Sequence, residues 1–386
     1  MDARRLAQRF PLVPRPRPAC TPLPERVRAL GELADAAERA TGTEALIKAA
    51  AVHNLAALIA SDCGLPELAR ALCHRQAATC LRAQPLGAQQ ARHALEPLVN
   101  LARLLIRDGD GEAAYQLLDR LFQAVRTRAD AVVDNLRLDL RNLTASPQDH
   151  QDVCRWLWTV LLADGTRALV AAERWTDALV HVEQHRGVGH RLLDGRQIAV
   201  LAALFGNRPH AALAALTAAA PAEPWEHAVA ACLDALCRAS AKPQRSHDTS
   251  DTSVATAVDR YLDLPATTGL VVFRTRLGAT VIELAATAGH HDRAAQAAER
   301  LTTEALSDGY AARDLLACPT ARLSVPVGDL RRLAQVRHAA GLGGDALTNQ
   351  LHDELTAAVA KSEAVTAKHH VRTLPQADSQ PTPTTA

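Results

Sequence analysis

From about residue 25 to about residue 370, apolar side chains return every three or four positions in stretches of about 12 to 20 residues. Each stretch ends in a short Gly, Asp, Asn or Pro turn. That period belongs to helices with one buried stripe, and strands would need a period of two. The apolar set points the same way. Hydrophobic residues make up 48% of the chain but aromatic ones only 3%, so the helices must pack through Ala, Leu and Val, which permit close helix-to-helix contact.

The ends and one interior stretch break the pattern. Residues 1–24 form a Pro/Arg-rich arm in which Pro11, Pro14, Pro16, Pro18, Pro22 and Pro24 forbid a continuous helix; we expect it to be extended, solvated and poorly ordered. Residues 25–370 form the helical array, interrupted by a flexible loop at about 240–254 that contains KPQRSHDTSDTS. Residues 371–386, ending QADSQPTPTTA, have no apolar period and are expected to be a disordered tail.

Internal repetition supports an array. HNLAALIASDCGLPELARALCHRQA, from His53, aligns with VNLARLLIRDGDGEAAYQLLDRLF, from Val99. Asn54-Leu55-Ala56 matches Asn100-Leu101-Ala102, and Ala69 matches Ala114. Weaker copies centre on Ala178, Ala212 and Ala294. The pattern resembles the tetratricopeptide (TPR) repeat, in which a small residue in the second helix of each pair lets two backbones cross closely. The step from Ala178 to Ala212 equals the repeat's period of about 34 residues. The resemblance implies an all-α, TPR-like α-solenoid of stacked antiparallel helix pairs. The chain is also similar to the repeat portions of actinobacterial regulators, although no recognisable DNA-binding helix-turn-helix precedes its repeats.

In such an array the first helix of each pair lines the concave side, where a peptide or other ligand is held. Taking Ala102 and Thr166 as equivalent positions sends Arg103 and Arg167 into the groove, with Arg107 one turn beyond. His53, Asn54, Asn100 and Gln197 come from corresponding faces of neighbouring pairs. Trp158, from a region that also holds Trp156 and Trp175, completes the candidate groove. Guanidinium groups in a row suit carboxylate or phosphate, but pairing with acids of the next repeat is an equal alternative.

Other motifs carry less. His181 and His185 are spaced i,i+4, as two zinc ligands on one helix would be. HVEQH nevertheless lacks the HExxH order, and histidines on a packed helix are the commoner case. DGDGE at 108–112 is too short for a calcium loop and falls at a repeat turn. GLGGD at 341–345 follows a helix, where a phosphate cradle would follow a strand. Neither CxxC nor GxSxG occurs. We therefore assign no catalytic residue, no metal ligand and no cofactor.

The expected function is that of a non-catalytic interaction or regulatory adaptor, holding a protein, a peptide or a small acidic ligand in its groove. One alternative is a transferase-like helical enzyme of specialised metabolism; another is an RNA-associated helper that uses the Arg-rich arm. With 43 basic and 42 acidic residues the chain has no overall field drawing it to nucleic acid or an anionic membrane. Eight cysteines without regular spacing read as reduced thiols, the first residues lack a signal-peptide pattern, and no uncharged apolar run reaches membrane-spanning length. Together these point to a cytoplasmic protein.

Overall fold

The computed structural model describes residues 3–241, 247–267, 269–342, 344 and 347–371. Among these residues the protein is all-α apart from one short hairpin. The helices of the first half are α1 (Ala3–Arg9), α2 (Leu23–Arg39), α3 (Gly42–Asp62), α4 (Pro66–Leu81), α5 (Ala88–Asp108), α6 (Gly111–Thr127), α7 (Pro147–Val160) and α8 (Thr166–Ala171). A π-helical turn, Leu161–Gly165, joins α7 to α8. The second half continues with α9 (Trp175–Gln184), α10 (Asp194–Phe205), α11 (Pro209–Thr217), α12 (Pro224–Ser240), α13 (His247–Leu262), α14 (Val271–Thr287) and α15 (His291–Ala305). It closes with α16 (Gly309–Leu316), α17 (Pro319–Leu323), α18 (Val327–Ala339) and α19 (Asn349–Val371).

Helices pack mainly on their sequence neighbours. The matched alanines sit at these contacts: Ala69, Ala114, Ala178, Ala212 and Ala294 are all buried. Closest approach occurs beside them, at Gly111 of α6, where an added Cβ would lie 2.2 Å from the Ala168 carbonyl oxygen. DGDGE is the turn that makes this crossing possible. Gly109 takes φ 86° to end α5, and the Asp110 carboxylate accepts the Ala113 amide at 3.0 Å to start α6.

The hairpin pairs β1 (Ala131–Val133) with β2 (Leu136–Leu138) through Asp134 and Asn135, both at positive φ, residue types that tolerate the left-handed region. The α3 helix is long and apolar enough to cross a membrane by length and composition, although it carries Glu44, Lys48 and Asp62. Here its alanines pack against α2, α4 and α19.

Two long-range features depart from a linear array. First, the last described helix packs against helices near the start of the chain. α19 lies on α2, α3 and α4, its Leu355, Ala358 and Val359 joining the core of Val27, Leu30 and Val52, and its Ser362 hydroxyl donates to the Ala49 carbonyl at 2.7 Å. Tyr310 of α16 donates its hydroxyl to Asp62 at 2.5 Å, and Arg26 of α2 reaches the Ala340 carbonyl at 3.3 Å.

Second, the arm is packed, which corrects the expectation of a solvated, poorly ordered segment. Leu6, Phe10, Leu12 and Cys20 are buried. Arg9 makes a two-point contact with Glu283, at 3.0 and 3.1 Å. The prolines that forbid a helix leave the backbone amides and carbonyls free for partners, and the rest of the protein supplies them. The expected loop at 240–254 enters α13 at His247; residues 242–246 lie outside the described residues, as do residues 372–386 of the expected tail and Gly343 and Asp345 of GLGGD.

Candidate functional site

The arm passes the N-terminal ends of α10, α14 and α16, and each fixes part of its backbone. Gln197 of α10 is fully buried; its side-chain oxygen accepts the Leu12 amide at 2.7 Å while its nitrogen donates to the Leu12 carbonyl at 2.8 Å and to Leu192 at 2.9 Å. Further along, the Arg17 amide donates to the Gly269 carbonyl at 3.0 Å, just before α14. Asp308 caps α16 with one carboxylate oxygen, accepting Tyr310 and Ala311 amides, and holds the Cys20 amide at 2.9 Å with the other. Between the buried anchors Leu12 and Cys20, residues 16–19 remain exposed.

This arrangement brings arginines of the arm among arginines of the helices. Asp62 at the end of α3 serves both Arg26, at 2.6 Å, and Arg107. Asp164, within the π turn, takes Arg103 at 2.9 Å and Arg167 at 3.8 Å. Asp194 faces Arg15 at 3.3 Å and Arg167 at 3.7 Å, and Asp314 faces Arg313 at 2.8 Å and Arg276 at 3.6 Å. Glu96 adds a second carboxylate to Arg103 at 2.7 Å. Arg17 makes no ion pair among the described residues, and Asp314 acts on it only at longer range. Seven guanidinium groups therefore share five carboxylates, with Arg17 beside them.

Their proton affinities record this imbalance. Crowding by protein, then the nearby charges of Arg276 and Arg107, lowers the Arg17 pKa, although the side chain keeps contact with solvent. Burial, followed by the charge of Arg15, pushes Arg167 down to about 10, still cationic at neutral pH. Burial would lower Arg103 as well, but Asp164 and Glu96 outweigh it and raise that group. Asp164 and Glu96 lie within 2.9 Å of Arg103, whereas the carboxylates beside Arg167 and Arg276 stand 3.6 to 3.8 Å away.

The remaining candidate residues divide. Asn54 and Asn100, matched in the repeat alignment, meet in space: the Asn100 amide donates to Asn54 at 2.9 Å, and its oxygen accepts Arg103 at 2.9 Å. Gln197 is spent on the arm. His53 lies elsewhere, in a small cleft lined also by Gln76, Cys80, Gln90, His93 and Thr366. Its Nδ1 has no partner, and burial holds its pKa at about 4. Trp158 is not among the arginine network's partners; its indole N–H donates to His185 at 3.1 Å.

The His181/His185 pair is occupied in packing. His181 Nε2 donates to the Leu161 carbonyl of the π turn at 3.1 Å, its ring meets Tyr115 edge-on, and His185 receives Trp158. No three-ligand His/Cys/Asp/Glu grouping occurs among the described residues. All eight cysteines are unpaired.

Reading single faces of helices could not have found Arg15, Arg17, Arg276, Arg313 or Tyr310, because their partners are far away in the chain. The one available signal was the density of arginine in the arm. No protein-family model matches the chain, no curated protein is similar to it, and no solved structure matches its fold.

Proposed function

We propose that the consecutive helices form a TPR-like solenoid and that the protein is a non-catalytic adaptor holding an acidic ligand on the concave side. The observation that carries this reading is the excess of arginine over carboxylate in this network, with Arg17 in no ion pair among the described residues. Cations that outnumber the carboxylates around them repel one another, and a bound anion offsets that cost. The RNA-helper alternative is weakened, because Arg9 and Arg15 of the arm already face Glu283 and Asp194. Unpaired thiols accord with a reducing, cytoplasmic setting.

The test is equilibrium binding of fluorescent acidic probes, a glutamate peptide and a labelled tricarboxylate or phosphate compound, to the full chain and to an Arg17→Gln/Arg167→Gln double variant. We expect salt-dependent binding that the double variant loses while its helical circular dichroism is unchanged. Equal binding by both proteins, or by neither, refutes the proposal.

A further inference from the structure

We infer that the seat of the arm is a peptide-binding site, held in this structure by the chain's own residues 9–20, which takes in exchange an extended, basic segment of another polypeptide. It uses carboxylates and a carboxamide of the helices, not their arginines, and so does not depend on the acidic-ligand reading. Buried polar groups on three helices find their partners in the arm. On α14, Glu283 is buried, and among the described residues both of its counter-charges, Arg9 at 3.0 Å and Arg5 at 3.6 Å, come from the arm. On α10, the side-chain oxygen of the buried Gln197 has the Leu12 amide as its partner. Asp308, at the start of α16, turns its second oxygen to the Cys20 amide. Without a segment in the seat, a buried carboxylate would lose its cations and a buried carboxamide oxygen its donor, and both losses are costly. The seat is therefore built to be filled, whichever chain supplies the segment.

The manner of holding is that of peptide recognition, in which main-chain hydrogen bonds fix an extended backbone and pockets select side chains. Gln197 takes both the amide and the carbonyl of Leu12, contacts that any residue except proline offers. Selection comes from the flanks. Glu283 meets the Arg9 fork at two points and the Thr280 hydroxyl accepts it at 3.4 Å, while Phe10 and Leu12 enter the same apolar cluster as Leu169 and Ile198. Asp194 takes Arg15 at 3.3 Å. A competing segment thus needs an arginine, an aromatic or apolar residue after it, a non-proline residue three positions on, and a second base beyond. The prolines of the arm hold it extended beforehand, so little ordering is lost when it seats. Its tether gives it a high local concentration, and a free peptide gains entry only to the extent that the arm is out.

The experiment is fluorescence anisotropy with a labelled synthetic peptide of residues 3–20 carrying Cys20→Ser. It is titrated with the full chain, with the full chain bearing Arg9→Ala and Leu12→Pro, and with that double variant bearing Gln197→Leu as well. The first two changes loosen the resident arm and leave the helices that seat it untouched; the third damages the seat. We expect the double variant to bind the peptide at least about tenfold more tightly than the unaltered chain, and Gln197→Leu to weaken that binding by at least about tenfold. A peptide that itself carries Arg9→Ala and Leu12→Pro should not bind. Equal binding by the unaltered chain and the double variant, no binding by either, binding indifferent to Gln197→Leu, or equal binding of the altered peptide would each overturn the inference. So would loss of helical circular dichroism in the double variant, which would make the arm part of the framework and not an occupant.

Discussion

Replacing Gln197 by Leu removes the one side chain that holds the arm's backbone from both directions, while keeping a similar volume in the core. Three hydrogen bonds are lost, two to Leu12 and one to Leu192, all between 2.7 and 2.9 Å and all buried. At a net worth of about 1 kcal/mol each, the direct loss is about 3 kcal/mol, and the Leu12 amide left without an acceptor adds about 1 to 2 kcal/mol more. Isosteric replacement contributes little strain, so roughly 4 to 5 kcal/mol is expected in all. For one cooperative transition of a chain this long, that lowers the melting midpoint by roughly 4 to 6 °C. If the arm opens before the rest, the loss shows as faster exchange of the Leu12 amide, by roughly 100-fold or more, with a smaller change in melting. Scanning calorimetry and hydrogen exchange on the same sample separate the two routes. Unchanged exchange at Leu12 together with an unchanged midpoint would refute the idea that Gln197 anchors the arm.

Gly111→Ala drives a methyl group to 2.2 Å from the Ala168 carbonyl oxygen and 2.7 Å from the Ala172 nitrogen, both backbone atoms that cannot swing away; we expect about 3 kcal/mol of destabilisation, read as a lower urea midpoint. His53, held at about 4 chiefly by burial, is neutral in the folded protein, whereas the unfolded chain takes up its proton near pH 6.5. Stability should therefore fall as pH drops from about 6.5 to 4, by up to about 3 kcal/mol, and level off below; His53→Leu should lose that part of the slope in denaturant titrations at successive pH values. Cys154 is half-buried and the other seven thiols are buried, several of them with pKa values raised to about 11 or 12, so a thiol reagent should modify Cys154 first. Mass mapping that finds Cys73 or Cys232 modified as quickly would contradict this packing.

Much of the helical framework could be read from the chain because its signals are local. Apolar spacing marks the helices, Gly109 and Asp110 mark one turn, and the matched alanines mark positions that prove buried. Even the equivalence of Asn54 and Asn100 has a physical counterpart in their mutual hydrogen bond. The hairpin was missed although Asp134-Asn135 between alternating residues is a turn signal of the right kind. The arm was misjudged for a deeper reason. Proline content tells that a segment is not helical, but solvation or burial depends on whether a groove supplies partners, and Gln197 lies 185 positions from Leu12. The arginine network has the same origin: Arg103 and Arg167 look alike in sequence, yet Asp164 and Glu96 hold the first at 2.9 and 2.7 Å, while Asp164 and Asp194 stand 3.8 and 3.7 Å from the second. No periodicity encodes that difference.

Contact between α19 and the first helices bears on how the molecule comes apart. Arrays in which each helix touches only its neighbours fray from their two termini, where a helix has one partner to lose. Here neither terminus of the array is such a place, since α2 is flanked by α3 on one side and α19 on the other. Opening must begin by parting two strips of side chains at once, so amide exchange along α2 should be as slow as in the middle of the protein. Clipping off α19 would create the loose edge that the intact chain does not have.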